Sequence, residues 1–172
     1  MNEKEQIPLE IERKYLIRMP DLATLTAYAG VKIKKIKQTY LESEAGVTAR
    51  VREVETDGKI TYIYTEKRRR TALTAEERER EITAEEYAAL LARADGARRP
   101  IRKTRYALPY AGHIAEVDIY DFWNDRATAE IELSTEDEAA ELPPCLQVIR
   151  EVTADRRYKN AALAREVVFE EI

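Results

Sequence analysis

Polar and apolar side chains alternate along several stretches of the chain, at the period of two that is typical of β-strands. In the first stretch, residues 9–17, one strand face carries Glu10, Glu12 and Lys14, while the other face is mostly apolar. Two carboxylates and an ammonium group are costly to bury against a hydrophobic core without partners. This face therefore favours a wet, ion-filled cavity over a core.

Later stretches repeat this arrangement, with charged groups at alternate positions and apolar groups between them. Further strands are predicted over residues 33–41, 47–53, 60–69, 76–82, 101–106, 116–120 and 129–133. Between two of them, Asp57-Gly58 is a strong hairpin signal. The charged positions of these strands are Arg50, Arg52, Lys67, Arg69, Glu77, Glu79, Glu81, Lys103, Arg105, Glu116, Asp118, Glu130 and Glu132.

The segment 76–82 is so rich in charge that its pattern fits either a strand or a solvated helix. Directly after it, Thr83 and Glu86 form a capping box, and apolar side chains then recur at helical spacing until Gly96. A helix is therefore predicted over residues 83–95. Because that helix has its own start signal, the charged segment before it is predicted to be a strand.

Shorter elements are predicted around these strands. One short helix is opened by Pro20-Asp21, a second over residues 135–141 follows another capping box, and an Ala-rich helix lies in the tail. Residues 146–152 fit an apolar strand or a linker. No low-complexity tract or long repeat divides the sequence, so residues 1–172 are expected to form one domain.

Two arrangements fit the polar strand faces. In an ordinary barrel or sandwich the apolar faces point inwards and the charges are solvated. In the inverted arrangement the charges line the lumen of a closed barrel, and helices cover its apolar exterior. The apolar stripes of the predicted helices need a surface to pack on, which favours the inverted arrangement. The repeated pairs R-x-R, K-x-R and E-x-E favour it too, since a solvated face is usually a mixture of Lys and Glu.

Composition narrows the range of functions. The 172 residues carry 29 basic and 33 acidic side chains, a net charge of -4, which weakens the case for a nucleic-acid binder. Residues 1–6 are polar, and no apolar run is long enough for a membrane span or a signal segment. The lone Cys145 gives no sign of an oxidising compartment, so a cytoplasmic protein is expected. The lone His113 excludes His-rich zinc sites and is expected in a solvated turn.

The polar faces carry the groups that phosphoryl transfer uses. Carboxylates are natural ligands of Mg²⁺ or Mn²⁺, arginine binds phosphate oxygens in a bidentate manner, and lysine binds them as a point charge. The chain has no G-x-x-x-x-G-K-[ST] motif and only 5 glycines, so a Gly-rich phosphate loop is not expected. The cations that bind phosphate must then come from side chains.

The sequence resembles the CYTH superfamily, the triphosphate tunnel metalloenzymes. Glu10-x-Glu12-x-Lys14 in the first strand looks like the signature of that family. The motifs that follow in order are Gln38-x-Tyr40-Leu41, Arg50-x-Arg52, Thr65-Glu66-Lys67, the acidic run 77–81, Lys103-x-Arg105-Tyr106, Glu116-x-Asp118, Glu130-x-Glu132 and Tyr158-x-Asn160. The resemblance covers almost the whole chain. It implies an α+β fold, an eight-stranded antiparallel β-barrel or tunnel with a charged lumen and helices packed on the outside.

The resemblance also implies roles for individual side chains. Catalysis is expected to involve Glu10, Glu12, Lys14 and Lys103. The expected metal ligands are Glu10, Glu12, Glu79, Glu81, Asp118, Glu130 and Glu132. The side chains expected to bind the phosphates are Lys14, Arg50, Arg52, Lys67, Arg69, Lys103 and Arg105. The chain departs from the family pattern at Ala75, where members often have a basic residue that Arg69 or Arg70 could replace.

The expected reaction is hydrolysis of inorganic triphosphate to pyrophosphate and phosphate, with Mg²⁺ or Mn²⁺. One alternative is that the same tunnel acts on an organic triphosphate, as a class IV adenylate cyclase, a thiamine triphosphatase or a nucleoside triphosphatase. An alternative of another class is a non-catalytic module that binds polyphosphate or nucleotides. The expected partner is a small molecule with a triphosphate group, no nucleic acid or membrane is expected, and a homodimer stays open.

Overall fold

Nine antiparallel strands and three short helices make up the computed structural model, which describes residues 7–172. The strands are β1 (Leu9–Arg18), β2 (Lys32–Leu41), β3 (Val47–Thr56), β4 (Lys59–Arg69), β5 (Thr74–Ile82), β6 (Ile101–Tyr110), β7 (His113–Tyr120), β8 (Arg126–Glu132) and β9 (Val148–Glu151). The helices are α1 (Leu22–Thr26), α2 (Ala84–Leu91) and α3 (Asn160–Leu163), and a 3₁₀ turn, Arg156–Tyr158, precedes α3. The polar residues 1–6 of the expected single domain lie outside the described residues.

The sheet closes on itself to form a barrel. Its strands follow the order β5-β4-β3-β2-β6-β7-β8-β1, and the first residues of β1 pair with β5 to close the ring, with Leu9 opposite Glu76. The second half of the same β1 edge pairs with the short β9, where Tyr15 lies opposite Glu151. The expected eight-stranded antiparallel barrel is therefore confirmed, and β9 is an addition to it.

Strand register places the charged faces inside the barrel. Lys67 on β4 lies opposite Glu77 on β5, and Lys14 on β1 lies opposite Glu130 on β8. Because neighbouring strands in a register of this kind point directly opposed residues to the same side, these charges share the interior. The inverted arrangement, with a charged lumen, is the one that the protein adopts.

The apolar strand faces form the exterior and are covered by the helices and loops. One cluster, which includes Val117 and Ile131, packs against Leu25 of α1. A second cluster, which includes Val51, packs against Tyr87 of α2, whose ring also lies 4.6 Å from that of Tyr62. The outer helices therefore bury the apolar faces that the strand alternation creates.

Apolar side chains fill one end of the barrel. Leu16 and Tyr120 continue the lumen-facing positions of β1 and β7, and they pack with Trp123 and with Tyr158 from the segment before α3. Trp123 Nε1 donates a hydrogen bond to the carbonyl of Val168 at 2.9 Å, which attaches the last residues of the chain to this cluster. The C-terminal segment therefore forms part of the wall of the lumen.

The prediction of a helix over residues 135–141 is wrong. The segment is a loop, and its acidic side chains bond to the barrel instead of capping a helix. Glu138 Oε1 lies 2.8 Å from His113 Nε2, and Glu136 Oε1 accepts a hydrogen bond from Thr74 Oγ1 at 2.9 Å. Contacts to the barrel thus replace the local helix that the capping pattern favours.

The helix predicted over residues 83–95 begins as expected but ends early. Thr83 Oγ1 accepts a hydrogen bond from the backbone N–H of Glu86 at 3.1 Å, as the capping box requires. The helix ends at Leu91, and Ala94 then forms a β-bridge with Leu41 at the end of β2. Pairing with the sheet replaces the last helical turn.

Two hairpin turns use the left-handed backbone region. Asp57 and Gly58 have φ values of 51° and 77°, the geometry of the hairpin that this dipeptide predicts. Ala111 and Gly112, with φ values of 48° and 80°, form the turn between β6 and β7. His113 follows this turn as the first residue of β7, and its side chain is partly buried. The prediction that it lies in a solvated turn is wrong.

No helix among the described residues is long and apolar enough to cross a membrane.

Candidate active site

Two connected cavities occupy the lumen. Several residues line both cavities, so the lumen is one continuous space. These shared residues are Glu12, Arg50, Lys67, Glu130 and Asn160. Cavity A has a volume of about 530 Å³, and its further lining includes residues 42–46 of the β2–β3 loop and the start of α3. Cavity B has a volume of about 500 Å³, and its further lining includes Lys34, Glu79 and Glu116.

Lys67 lies among three carboxylates at the junction of the two cavities. Its Nζ is 2.5 Å from Glu10 Oε2, 3.6 Å from Glu77 Oε2 and 3.9 Å from Glu12 Oε1. The closure of β1 onto β5 and the β4–β5 register bring these side chains together. One ammonium group against three carboxylates leaves an excess of negative charge in a partly desolvated place.

This excess of negative charge changes the pKa values of the carboxyl groups. Burial raises the pKa of Glu12 well above its usual range, and the neighbouring carboxylates of Glu130 and Glu10 raise it further. Burial and a hydrogen bond with Glu10 raise the pKa of Glu77 to about 7. Burial also acts to raise the pKa of Glu10, but Lys67 and the hydrogen bond with Glu77 outweigh it and lower that pKa to about 2. In each of these pairs, one carboxyl group has a raised pKa, Glu77 or Glu12, and its neighbour has a lowered one, Glu10 or Glu130.

Lys14 is fixed in the wall of cavity A. Its side chain is almost fully buried, its Nζ donates a hydrogen bond to the carbonyl of Tyr158 at 2.7 Å, and Glu130 Oε1 lies 3.3 Å away. Burial acts to raise the pKa of Glu130, but Lys14, Arg105 and Lys103 outweigh it and hold that pKa well below its usual range. Lys14 thus links the first strand, the β8 carboxylate and the C-terminal segment.

A second group of charges is buried between β6 and β7. Asp118, which is fully buried, accepts hydrogen bonds from Lys103 Nζ at 2.8 Å and from Arg105 Nε at 2.7 Å. Arg105 Nη2 also donates to Asp118 at 2.9 Å, and its Nη1 donates to Glu116 at 2.7 Å. Burial acts to raise the pKa of Asp118, but the two cations outweigh it and lower that pKa to about 2. Both oxygens of Asp118 are occupied by donors of the protein.

Two arginines in cavity A have no carboxylate partner. Within residues 7–172, no carboxylate oxygen lies within ion-pair distance of Arg50 or Arg69, and Arg50 Nε is buried without a hydrogen-bond acceptor. Arg69 Nη1 donates to the carbonyl of Ala72 at 3.1 Å. In the β4–β5 register Arg69 lies opposite Ala75, so a basic side chain stands beside the position where the family resemblance implies one.

Most of the predicted site residues lie in the lumen. Those that line cavity A or cavity B are Glu10, Glu12, Lys14, Arg50, Arg52, Lys67, Arg69, Glu79, Arg105, Glu130 and Glu132. Arg52 is paired with Glu79, with Nη2 and Oε2 2.7 Å apart. Lys103 and Asp118 line neither cavity because they are buried against each other, and Glu81 lies on the exposed end of β5.

The structure adds three residues to the predicted site, namely Glu77, Lys159 and Asn160. The acidic run of β5 has glutamates at alternate positions, and the pattern does not tell which of them lies level with Lys67. The β4–β5 register selects Glu77. For the tail, the Tyr158-x-Asn160 motif is the signal in the sequence, but no periodicity places it in the lumen.

The donor chemistry of the carboxylate cluster fits Mg²⁺ or Mn²⁺, which prefer carboxylate oxygens. The Oε2 atoms of Glu10 and Glu77 are buried, and the cation nearest to both in the described part of the chain is the one ammonium group of Lys67, at 2.5 and 3.6 Å. The raised pKa values of Glu12 and Glu77 also show that the cluster is short of positive charge. As the side chains stand, no three acidic, histidine or cysteine groups among residues 7–172 are arranged to hold one ion, and the Lys67 ammonium lies between the carboxylates.

Solved structures resemble the chain over most of its length. The inorganic triphosphatase NE1496 is 29% identical with a TM-score of 0.57, and the match covers 91% of this chain and 94% of that one. Another structure of NE1496 gives the same identity and TM-score over 92% and 99%. PH1819 from Pyrococcus horikoshii OT3, 17% identical with a TM-score of 0.58 over 74% and 80%, shows the fold alone. A comparison with curated proteins finds no match.

A family model of the CYTH domain matches residues 8–162, from the start of β1 into α3. The matched segment contains all eight strands of the barrel and every side chain of the two ion clusters described above. Match and geometry agree, and the chain belongs to the CYTH domain family.

Proposed function

We propose that this protein hydrolyses inorganic triphosphate to pyrophosphate and phosphate inside the barrel, with Mg²⁺ or Mn²⁺ as its cofactor. The observation that carries the proposal is a closed lumen in which unpaired cations face an uncompensated cluster of carboxylates. In the described part of the chain, Arg50 and Arg69 line cavity A without carboxylate partners, while the carboxyl groups of Glu12 and Glu130 lie beside them and the pKa of Glu12 is raised by burial and by Glu130. A complex of a polyphosphate with a divalent cation would supply both missing charges.

The basic side chains of cavity A bind and orient the substrate. The guanidinium group of Arg50 offers a planar set of donors that matches phosphate oxygens, and the ammonium groups of Lys14 and Lys67 add point charges. Because Arg50 and Lys14 project from strands of a closed barrel, their charges are in place before the substrate arrives. Such preorganised charge is worth most in the transition state, where it stabilises the transferring phosphoryl group.

The carboxylates Glu10, Glu12 and Glu130 would hold the metal, and Glu77 lies beside them. Ligation needs Glu12, whose pKa is raised, to lose its proton, and it needs the Lys67 ammonium to turn from Glu10 towards the phosphates. When bound, the divalent ion neutralises charge on the phosphate oxygens and templates the substrate.

Hydrolysis then needs a water molecule in line with the terminal phosphorus. The oxygen of the water bonds to that phosphorus, the bond to the bridging oxygen breaks, and pyrophosphate leaves. The proton of the attacking water passes to a carboxylate of the cluster. Glu77 is suited to accept it because its pKa of about 7 is close to neutrality.

Support for an inorganic substrate comes from the comparison with NE1496. That protein is described as an inorganic triphosphatase, and the two chains match over 94% of its length. The lumen described here adds physical support, since every group proposed to bind substrate is a cation suited to phosphate oxygens.

The test is a comparison of substrates and metals. Purified protein receives tripolyphosphate, ATP or thiamine triphosphate, each with Mg²⁺, Mn²⁺ or EDTA, and the released phosphate and cyclic AMP are measured. We expect metal-dependent release of phosphate that is fastest from tripolyphosphate. Formation of cyclic AMP from ATP would show that the protein cyclises ATP and would contradict the proposed hydrolysis. Binding of tripolyphosphate without turnover would identify a non-catalytic module.

A matched pair of variants locates the activity in the lumen. Lys67→Gln removes the ammonium group from the carboxylate cluster, whereas Arg68→Gln changes the next residue of β4, whose side chain is exposed on the outer face. We expect Lys67→Gln to lower kcat on the order of 10²–10³-fold, the usual effect of losing one electrostatic contact in the transition state. Arg68→Gln should keep the wild-type rate. Equal rates in the two variants would contradict a lumenal site.

A further inference from the structure

Three hydrogen bonds from one segment of the chain hold Lys14. Its backbone N–H donates to Thr153 Oγ1 at 3.0 Å, its carbonyl accepts from the backbone N–H of Val152 at 2.8 Å, and its Nζ donates to the carbonyl of Tyr158 at 2.7 Å. All three partners lie in residues 152–158, directly after β9. The place of the Lys14 ammonium group therefore depends on how firmly this segment is held.

The carboxylate of Glu170 holds this segment at both of its ends. Tyr158 is fully buried, and its hydroxyl donates a hydrogen bond to Glu170 Oε1 at 2.6 Å. Glu170 also accepts from Arg150 Nη2 at 2.7 Å and from Arg157 Nη1 at 3.1 Å. Arg150 belongs to β9 and Arg157 to the 3₁₀ turn, so one carboxylate joins the start of the segment to its end.

The contact between Glu170 and Tyr158 can be removed without leaving the two arginines unpaired. Arg150 Nη2 and Arg157 Nη2 also donate to Asp155, at 3.1 Å and 2.8 Å. Loss of the Glu170 carboxylate would thus leave both guanidinium groups with an anion and would take the acceptor from the Tyr158 hydroxyl. A buried hydroxyl is normally hydrogen-bonded, so this loss should loosen the ring.

We propose that Glu170 is a positioning residue for Lys14, because it fixes the ring of Tyr158 and thereby the carbonyl that holds the Lys14 ammonium group in the wall of cavity A. The inference rests on the proposed function, in which Lys14 stabilises the transferring phosphoryl group. Glu170 lines neither cavity and acts only through Tyr158. Without it the ring tilts, its carbonyl shifts, and the ammonium group loses its preorganised place.

A conservative variant and a matched control test this role. Glu170→Ala removes the acceptor, whereas Glu170→Gln keeps an amide oxygen that can accept the same hydrogen bond. Glu171→Ala changes the next residue, which is exposed. With tripolyphosphate and Mg²⁺, we expect Glu170→Ala to lower kcat about 10-fold with a much smaller change in KM, since a shift of about 1 Å can cost on the order of 10²-fold. Glu170→Gln should recover most of kcat, and Glu171→Ala should keep the wild-type value.

The same substitution in a Lys14→Met background separates positioning from a general loss of structure. If Glu170 acts through Lys14, Glu170→Ala causes no further fall in kcat once Lys14 is replaced. Tyr158→Phe removes only the hydroxyl and should lower kcat as Glu170→Ala does. An equal fall in both backgrounds would overturn the inference, and so would a wild-type kcat in either Glu170→Ala or Tyr158→Phe.

A second measurement does not depend on turnover. Proton–nitrogen NMR spectra of lysine side chains show a buried, hydrogen-bonded ammonium group, and the signal of Lys14 is assigned by its loss in Lys14→Met. We expect Glu170→Ala to shift or broaden this signal and Glu171→Ala to leave it in place. If the wild type hydrolyses no triphosphate, the proposed function fails, but a changed signal would still support the role of Glu170. An unchanged signal in Glu170→Ala, or an equal change in Glu171→Ala, would overturn that role whether or not the wild type is active.

Discussion

The substitution Asp118→Asn tests whether the charges between β6 and β7 serve the fold or hold a metal. The carboxylate of Asp118 is fully buried and is bonded to Lys103 and Arg105. The amide of asparagine has nearly the same shape, so the change removes the charge with little loss of packing. Arg105 keeps Glu116 as a partner, but Lys103 has no other carboxylate within ion-pair distance in the described part of the chain.

The size of the expected loss follows from the pKa of Asp118 and from the cost of an unpaired buried charge. The pKa of Asp118 lies at about 2 in the folded protein against an ordinary value of 3.8. At 1.36 kcal/mol per unit, this difference corresponds to roughly 2–3 kcal/mol of favourable interaction with the ionised form. That contribution is present at neutral pH and is lost as the pH falls through 3.8 towards 2. Breaking a buried ion pair from one side typically costs about 3–5 kcal/mol, because the remaining charge is left without a partner.

We therefore expect Asp118→Asn to lower the free energy of unfolding at pH 7 by about 3 kcal/mol or more. Urea denaturation followed by the fluorescence of Trp123, the single tryptophan, measures this change. Thermal unfolding should show a midpoint lowered by roughly 10 °C, given about 2–4 °C per kcal/mol for a chain of this size. The double variant Lys103→Met with Asp118→Asn should recover part of the loss, since the unpaired ammonium is removed as well.

The exposed carboxylate of Asp121, just after β7, provides the control. Asp121→Asn should leave the unfolding midpoint within the error of the wild type. A loss below 1 kcal/mol in Asp118→Asn would refute the ion-cluster argument. If that small loss came with a large fall in Mg²⁺ affinity, the metal-ligand role that the family resemblance implies for Asp118 would be supported instead.

Four further predictions test other parts of the molecule. EDTA should abolish phosphate release from tripolyphosphate and excess Mg²⁺ should restore it; activity that survives chelation would contradict the metal requirement. Lys14→Met should lower kcat on the order of 10²–10³-fold, with an unchanged circular dichroism spectrum, and a near-normal kcat would remove Lys14 from the site. Thr83→Ala should cost about 1 kcal/mol in urea denaturation because the N-cap hydrogen bond to Glu86 is lost, and an unchanged midpoint would argue against that cap. Gly58→Ala should also cost about 1 kcal/mol, since its φ of 77° disfavours a Cβ; no loss would mean that the hairpin relaxes.

The alternation of polar and apolar side chains was enough to predict the barrel strands and their charged faces. This works because the strand period depends on local geometry alone. Asp57-Gly58 and the Thr83 capping box were also read correctly, since both act within a few residues. The capping pattern at residues 135–138 gave a wrong prediction because it, too, contains only local information. Its acidic side chains bond to residues on distant strands, and a local pattern contains no information about them.

The site depends on which side chains lie opposite one another in the barrel, and this is decided by the register between neighbouring strands. The sequence predicts that Asp118 faces inwards, but its neutralisation by Lys103 and Arg105 follows from the β6–β7 register. In the same way, the register of β4 on β5 decides that Glu77 lies beside Lys67. The entry of Lys159 into the lumen depends on the tertiary packing of the tail, which no periodicity in the sequence describes.

The first strand of the chain has consequences for how the protein folds. The strands β2–β5 and β6–β8 each form a meander of sequence neighbours, whereas β1 pairs only with strands that come later, namely β5, β8 and β9. Pairing of this kind closes long loops, which is entropically costly and slow. We therefore expect β1 to find its partners late in folding. Since Glu10, Glu12 and Lys14 all lie on β1, we expect the pairing that closes the ring also to bring these three side chains to the candidate site.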